Sequence, residues 1–320
     1  MPKVSIIIPV YGVEKYIERC ARSLFGQSFD DIEFLFIDDC TPDKSMDTLR
    51  QVLDDYPERK PQVVVHRMEK NSGQAAVRTW GMQHATGDYV IHCDSDDWVE
   101  PDYCRALYET AEREIADVVI CDYVTSDGQS VLKRTVCCSS TDKSQFINGM
   151  LFQSDPWSLC NKLFRRTACY RADLVFPSGN MGEDMLLVFQ MVLNARTIGY
   201  VPQPLYNYFY NPASITKTPS ASKMLDNFRQ FKANTDILLE EMEKRGLKEE
   251  YSDGLLSLKW FVKKFMWNLT FDQSVRELWR TTYPELTSHL FKKELFTPKE
   301  RIKYILTNVG LYPKRHYEKK

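Results

Sequence analysis

The chain has 320 residues, of which 43% are hydrophobic and 27% are charged, and its formal net charge is −2. This composition is typical of one large globular domain or of a domain with an extension, and the near-neutral charge argues against nucleic acid as a partner. The sequence has no run of about 18 apolar residues, and its first apolar run is too short for a signal peptide. The nine cysteines form no CxxC pair, so we expect reduced thiols in a cytoplasmic protein.

The first third of the chain alternates short apolar runs with stretches of helical spacing, which predict strands and helices respectively. The predicted strands are residues 4–10, 32–39, 62–68, 88–93 and 116–124. The predicted helices are one that follows Gly12 and those at 73–85 and 100–114. Strands separated by helices imply right-handed crossovers, so we expect an α/β fold with a mainly parallel sheet flanked by helices.

The pattern changes in the second half of the chain. Residues 125–215 are irregular and rich in turns and aromatic side chains, and the sequence becomes helical beyond about residue 221. A polar, proline-containing stretch near residue 216 indicates a boundary. We therefore predict an N-terminal domain at 1–216 and a helical C-terminal extension at 217–320.

Acidic residues follow two of the predicted strands. Asp38 and Asp39 come after the second strand, and Asp94, Asp96 and Asp97 come after the fourth. Each group alone could be a turn or a helix cap, since Asp bonds readily to nearby backbone. Ligands of open α/β sheets bind beyond the carboxyl ends of the strands, so both groups together indicate one site.

The acidic cluster that follows the fourth strand is suited to a metal ion. Two carboxylates separated by one residue can bind a hard divalent cation and leave positions for water and phosphate oxygens. The chain has no GxGxxG after its first strand and no GxxxxGK[ST], so no glycine loop holds phosphates. We therefore expect Mg²⁺ or Mn²⁺ bound to a nucleotide diphosphate, for which an activated sugar is the usual example.

Four segments, in this order and spacing, resemble the motifs of the family 2 glycosyltransferases. They read VSIIIPVYGVEKYIERCARSLFGQSF, IDDCTPDKS, NSGQAAVRTWGMQHATGDYVIHCDSDDWVEPD and GEDMLLVFQM. The resemblance spans about residues 3–210, and it departs from the family at Cys40, Pro42 and Trp80. It implies a GT-A fold and an inverting, metal-dependent transfer from a nucleotide sugar, most often a UDP-sugar.

The resemblance also implies roles for single residues. The residues that it assigns to the nucleotide are Pro9, Tyr11, Asp39, Asn71, Gly73, Arg78 and Asp94. Within this set the ring of Tyr11 lies against uracil, and Asp39 accepts from the imide N–H of the base. Asp96 is the metal ligand, with Asp94 in the metal shell or at the ribose, and Asp97 supports the loop.

An acidic pair in GEDMLLVFQM supplies the candidate base. An inverting transfer needs a base that takes the proton of the acceptor hydroxyl. On the resemblance this base is Asp184, and Glu183 orients it or binds the acceptor. The alternative is an acidic first turn of a helix, which the helix dipole favours.

The segment DPWSLCNKLFRRT resembles a family segment on the acceptor side. Trp157, Asn161 and Lys162 are its candidate contacts, because aromatic faces stack on sugars and Asn and Lys bond to hydroxyls or phosphate. The alternative is that Trp157 packs in the core with Leu159 and Leu163.

The stretch LLSLKWFVKKFMWNL (255–269) has one apolar stripe, with Trp260 and Lys263 off it. Two interpretations are open: a packed helix with a basic exposed face, or an interfacial helix with Trp and Lys at anionic headgroups. Many members of the family act on lipid-linked acceptors. We therefore hypothesise peripheral contact with the cytoplasmic face of the inner membrane through the C-terminal region.

We predict a glycosyltransferase that moves a hexosyl or N-acetylhexosaminyl group onto a glycan or lipid-linked acceptor in bacterial surface polysaccharide or lipopolysaccharide assembly. A sugar nucleotidyltransferase usually has a glycine-rich loop where this chain has PVYGVEKY. A phosphatase with an Asp nucleophile would need Lys and Asp at other strand ends. A non-catalytic nucleotide-sugar binding module would not need both Asp96 and Asp184.

Overall fold

The computed structural model describes residues 1–210, 220–270 and 272–312. Within them the chain forms two compact units, one of residues 1–150 and 154–210 and one of residues 151–153, 220–270 and 272–312. The domain boundary predicted near residue 216 lies outside the described residues.

Nine strands of the described residues form one sheet in the first unit. They are β1 (Val4–Val10), β2 (Ile32–Asp38), β3 (Val63–Arg67), β4 (Tyr89–His92), β5 (Trp98–Val99), β6 (Val118–Ser126), β7 (Val131–Thr135), β8 (Lys162–Arg165) and β9 (Ile198–Phe209). Their order is β3-β2-β1-β4-β8-β6-β9-β5, and β7 pairs with the C-terminal end of β6.

Helices lie between the strands of the first unit, and the described part of the second unit is helical. They are α1 (Ile17–Phe25), α2 (Ser45–Asp54), α3 (Gln74–His84), α4 (Tyr103–Glu114), α5 (Lys143–Leu151), α6 (Arg166–Cys169), α7 (Glu183–Asn194), α8 (Ala221–Lys244), α9 (Ser252–Lys264), α10 (Gln273–Thr281) and α11 (Pro298–Asn308).

The prediction of a mainly parallel sheet describes only part of what is found. Strands β1, β2, β3 and β4 are parallel neighbours, as the alternation of strands and helices indicates. Strand β8, however, lies antiparallel between β4 and β6, and β9 pairs in parallel with β6 and antiparallel with β5. The sheet is therefore mixed, because the irregular region after residue 125 contributes strands whose sequences carry no clear period.

Helix α3 packs unusually closely on the sheet. A Cβ added at Gly81 would lie 2.5 Å from Cγ2 of Ile7 on β1 and 2.9 Å from Cδ1 of Ile37 on β2. Real Cβ atoms do not approach neighbours this closely, so glycine is what allows the helix backbone to reach the sheet. The close contact fixes the height of α3 above β1 and β2.

The core of the second unit is rich in aromatic rings, and a lysine lies among them. Trp260 and Lys263 of α9 are 2% and 1% exposed. The Lys263 ammonium donates to the Thr282 carbonyl (2.8 Å) and the Tyr304 hydroxyl (3.2 Å), and burial lowers its pKa to about 8. The interpretation of residues 255–269 as an interfacial helix is therefore wrong for these two side chains, because the aromatic rings and the carbonyl stabilise the buried cation.

Among the described helices, none combines the length and apolarity that crossing a bilayer requires.

We expect Gly81→Ala to destabilise the protein by about 1–3 kcal/mol, because the added methyl group overpacks the contact with β1 and β2. Helix propensity alone predicts the opposite sign, a gain of about 1 kcal/mol. Urea unfolding measures the difference, and Gln83→Ala on the exposed face of the same helix is the control. A Gly81→Ala protein as stable as the control would contradict the close packing.

Candidate active site

The first four parallel strands end at one edge of the sheet, and their ends carry the predicted site. Tyr11 follows β1, Asp39 follows β2, the segment 71–73 follows β3 and Asp94 follows β4. The residues that precede the strand ends pair in register, so these loops start side by side. The structure therefore brings the predicted nucleotide residues to one edge.

Asp39 holds the loop that follows β3. Its carboxylate is 4% exposed and accepts hydrogen bonds from the backbone N–H of Ser72 (2.7 Å) and of Gly73 (2.8 Å). An ionised carboxylate can accept about four hydrogen bonds, so capacity remains on both oxygens. Asp39 thus fixes this loop, while Asn71 beside it is exposed.

Gly73 needs its small size as well as its backbone freedom. Its φ is +81°, and an added Cβ would lie 2.5 Å from the Asn180 side-chain nitrogen. Asn180 in turn accepts a hydrogen bond from the backbone N–H of Ala75 (3.0 Å), which caps the first turn of α3. The sequence does not reveal this cap, because its two partners are 105 residues apart.

Tyr11 and Pro9 stand at the end of β1, where the loop is held by the loop after β2. The backbone N–H of Gly12 donates to the Thr41 hydroxyl (2.9 Å), and that of Val13 donates to the Ser45 hydroxyl (3.1 Å). The Tyr11 ring is 47% exposed. The loop is therefore fixed by its backbone, and the ring is open to a stacking partner.

Arg78 of α3 is the centre of the acidic site. Its side chain is 2% exposed and pairs with Asp94 (2.8 Å), with Glu183 (3.1 Å) and with Asp184. Burial acts to lower the pKa of Arg78, but the three carboxylates outweigh it and hold the pKa above its ordinary value. In this structure Arg78 positions carboxylates, and its predicted contact with the nucleotide stays a prediction.

Glu183 and Asp184, in the first turn of α7, differ in their surroundings. Glu183 is 7% exposed, and burial together with the charge of Asp184 raises its pKa to about 8. The side chain of Asp184 is 33% exposed. Burial raises the pKa of Asp184 as well, and the Arg78 guanidinium opposes that rise. The pKa of Glu183 therefore favours its protonated form near neutral pH, while the Arg78 guanidinium favours the ionised form of Asp184.

The three aspartates after β4 differ in their exposure, and Asp94 and Asp97 differ in their hydrogen-bond partners. Asp94 accepts from Gln74 (3.2 Å) and from Arg78, and its side chain is 27% exposed. Asp97 is 1% exposed and accepts from the Phe209 backbone N–H (2.6 Å) and the Tyr206 hydroxyl. Burial raises the pKa of Asp97 well above its ordinary value. Asp97 therefore ties the loop to β9, while Asp94 and the half-buried Asp96 remain nearer to solvent.

Among residues 1–210, 220–270 and 272–312, no group of three or more His, Cys, Asp or Glu side chains converges as a complete metal site. A cation of the magnesium type is often held by one or two carboxylates and completed by water and substrate phosphates. Asp94 and Asp96 supply carboxylate oxygens of this kind on one loop. The donor set fits a cation that arrives with a diphosphate.

A cavity of about 150 Å³ lies between the aspartate loop and α7. The residues that line it are Asp94, Asp184, Tyr123, Thr125, Ser158, Cys160 and Tyr208. Asp94 and Asp184 thus border the same space, and four of the five other lining residues carry a hydroxyl group. Sequence analysis did not identify Tyr123, Thr125 or Ser158. Tyr123 lies near the end of a predicted strand with Thr125 just beyond it, and Ser158 lies in DPWSLCNKLFRRT, where the resemblance points to other residues.

The predicted acceptor residues are not among those that line this cavity. Asn161 and Lys162 are 0% exposed, and the Lys162 ammonium donates to the carbonyls of Pro156 (2.8 Å) and Ser158 (2.9 Å). The indole of Trp157 donates to the Met150 carbonyl (2.8 Å). As they are placed here, Asn161 and Lys162 hold the loop of Ser158, and direct contact with an acceptor stays a prediction.

Solved structures with the same architecture are glycosyltransferases. Residues 1–349 of TarS from Staphylococcus aureus, in complex with UDP-GlcNAc, align with a TM-score of 0.60 at 18% identity, over 99% of this chain and 93% of that chain. The mannosyltransferase PcManGT from Pyrobaculum calidifontis, in complex with GDP-Man and Mn²⁺, gives 0.54 at 14% identity, over 98% and 88%. The predicted GT-A fold with a helical C-terminal region is confirmed.

Sequence comparison gives the family. The family model of Glycosyl transferase family 2 matches residues 5–169. EpsH of Bacillus subtilis (strain 168), whose name describes it as a glycosyltransferase, is 31% identical over 75% of this chain and 70% of its own length. The poly(ribitol-phosphate) beta-glucosyltransferase of Bacillus spizizenii is 27% identical over 65% of this chain and 32% of its own. The chain belongs to glycosyltransferase family 2.

We expect Asn180→Ala to lower the free energy of unfolding by about 1 kcal/mol, because it removes the cap of α3. The loop of Gly73 loses its neighbour at the same time, so the KM for the donor should rise while the fold persists. Urea unfolding and donor kinetics measure the two effects. Asn180→Asp keeps the acceptor oxygen at the helix N-terminus, so this variant should be about as stable as the unmodified chain. An equal loss of stability in both variants would contradict the cap.

Proposed function

We propose that the chain is an inverting glycosyltransferase that uses a nucleotide-diphosphate sugar, with a UDP-sugar as the first choice. The acceptor in this proposal is a glycan or a lipid-linked sugar of bacterial surface polysaccharide or lipopolysaccharide assembly. The single observation that carries the proposal is that Asp94 and Asp184 share one guanidinium and line one cavity. In the proposal the diphosphate site and the base border the same space, which the sugar occupies.

The donor assignment rests on the strand-end loops. In the proposal the exposed Tyr11 ring stacks on the base beside Pro9, and Asp39 accepts the imide N–H with the capacity that Ser72 and Gly73 leave. Asn71 and Gly73 border the ribose and diphosphate. The TarS structure that this chain resembles in fold contains UDP-GlcNAc, which supports a UDP-sugar donor and a hexosyl or N-acetylhexosaminyl group.

Asp96, with Asp94, would hold Mn²⁺ or Mg²⁺ together with the diphosphate oxygens. When bound, such a cation neutralises the charge that develops on the leaving diphosphate. The chain's own contribution is to place carboxylates where the phosphates arrive. Arg78 keeps Asp94 in position, and Asp97 fixes the loop to β9.

Asp184 is the base in this proposal. It lines the cavity and is partly exposed, whereas Glu183 is buried and protonated near neutral pH. As the acceptor oxygen attacks the anomeric carbon, Asp184 takes its proton, and the bond to the diphosphate breaks on the opposite face. The configuration at the anomeric carbon is thereby inverted.

The proposed acceptor and location rest on the relatives of this chain and on the predicted domains. The residues assigned to transfer fall in the predicted domain of residues 1–216, and residues 217–320 are the predicted extension. Relatives of this chain are named for transfer to poly(ribitol phosphate), which supports an acceptor in a surface glycan. We place the enzyme in the cytoplasm, in contact with the inner membrane through its C-terminal region, where lipid-linked acceptors lie.

Release of UDP from a panel of UDP-sugars tests the proposal. We expect release with at least one UDP-sugar in the presence of Mn²⁺ or Mg²⁺, and loss of most of this activity with excess EDTA, because the diphosphate then leaves without its cation. Donor binding without any release, across UDP-, GDP- and dTDP-sugars, would point to a binding module and contradict the proposal.

We expect Asp184→Asn to fold normally and to lose transfer by about 10²–10⁴-fold, the usual contribution of a positioned base. Glu183→Gln should keep most of the activity at pH 7, because the amide resembles the protonated carboxyl group. Initial rates at saturating donor measure both, with Glu58→Gln as an exposed control. Near-normal turnover of Asp184→Asn would refute the assignment.

The same pair predicts a pH effect on stability. The folded pKa of Glu183 lies above its ordinary 4.5, at about 8, so its contribution to stability is full below pH 4.5 and is lost as the pH rises to about 8. Glu183→Gln removes this loss. Its free energy of unfolding, relative to the unmodified chain, should therefore rise across that interval, and a constant difference would contradict a protonated Glu183.

A further inference from the structure

Helix α11 presents an apolar stripe to solvent. Ile302, Ile305 and Val309 follow one another at helical spacing and are 61%, 46% and 62% exposed. The opposite side of the helix, with Tyr304 and Thr307, is buried in the second unit. The usual arrangement of a surface helix, with its polar face outward, is therefore reversed over this stretch.

The exposure belongs to a well-fixed helix. Thr297 and Glu300 form a capping box at its start. At its end Gly310 has a φ of +79°, and the backbone N–H of Leu311 bonds to the Leu306 carbonyl (2.8 Å). This turn brings Leu311, 59% exposed, back to the helix. The apolar side chains are thus held outward by the fold.

Basic side chains border the stripe on both sides. With about 100° between successive residues, Lys299 and Lys303 fall along one side of the stripe and Arg301 along the other. The one acidic residue of α11, Glu300, points away, since it closes the capping box and pairs with Lys264 (3.4 Å). A narrow apolar stripe with two lysines along one side and one arginine along the other is complementary to an anionic interface that is apolar beneath its charges.

We propose that the α11 stripe, formed by Ile302, Ile305, Val309 and Leu311, is the surface by which the protein lies on an anionic lipid membrane. The exposed Lys299 and the partly exposed Arg301 and Lys303 then stand at the level of the headgroups, and the apolar side chains enter the boundary below them. The inference rests on the proposed function for its membrane location and names the surface that makes the contact. It is independent of the chemistry of transfer.

Cosedimentation of the full chain with vesicles tests this surface. We expect binding to vesicles that contain phosphatidylglycerol, little binding to pure phosphatidylcholine, and weakening at about 1 M salt, where charge interactions are screened. The combined change Ile302→Ser, Ile305→Ser and Val309→Ser should weaken binding by at least about tenfold, because each apolar side chain loses its transfer from water.

A matched control changes equally exposed apolar residues of the first unit. Ile115→Ser, Val131→Ser and Leu132→Ser, at 75%, 64% and 52% exposure, should leave vesicle binding unchanged. UDP release without vesicles should be the same in both variants, so a failure of transfer is seen separately from a failure of membrane binding.

Three outcomes would overturn the inference. The first is no binding of the unmodified chain to anionic vesicles at low salt, and the second is equal binding of the α11 variant. The third is a chain that ignores vesicles but is a dimer, which the α11 substitutions convert to a monomer. That last result would assign the stripe to a second copy of the chain.

Discussion

The site depends on one buried cation. Arg78 lies on α3, and its three carboxylate partners come from the loop after β4 and from the start of α7, which are 16 to 106 residues away. Removing the guanidinium would leave buried acidic groups without their partner, which costs about 3–5 kcal/mol. The guanidinium therefore does two things at once: it allows three acidic groups to gather, and it fixes two distant segments against one helix.

A cation can organise a site only if its own position is fixed, and α3 is held at several points. Gly81 lets the helix backbone approach β1 and β2, so its height is set by the sheet. At its first turn, Asp39 holds the loop of Gly73 and Asn180 caps Ala75. These contacts come from separate segments of the chain, so the placement of Arg78 reflects the fold of the whole unit rather than a local motif.

The sequence predicts whatever is encoded locally. The apolar run of β1 matches its observed bounds, Val4–Val10, and the aspartates after β2 and β4 reach one edge of the sheet as expected. It does not predict β8 between β4 and β6, nor the partners of Arg78, because both depend on pairing across many residues. A helical projection also fails for Trp260 and Lys263, since α9 is enclosed on more than the one face that such a projection identifies.

Adjacent residues of the same chemical type can have different roles when their surroundings differ. Glu183 points into the unit, where the cost of burying a charge keeps it protonated, and Asp184 lines the cavity. Two neighbouring carboxylates resist ionising together, so the proton on Glu183 makes it easier for Asp184 to remain ionised beside Arg78. The guanidinium that assembles the site thus also favours the ionised form of Asp184. Asp184 borders the same space as the aspartate loop on which the diphosphate is proposed to bind, which is where the proposed base has to stand.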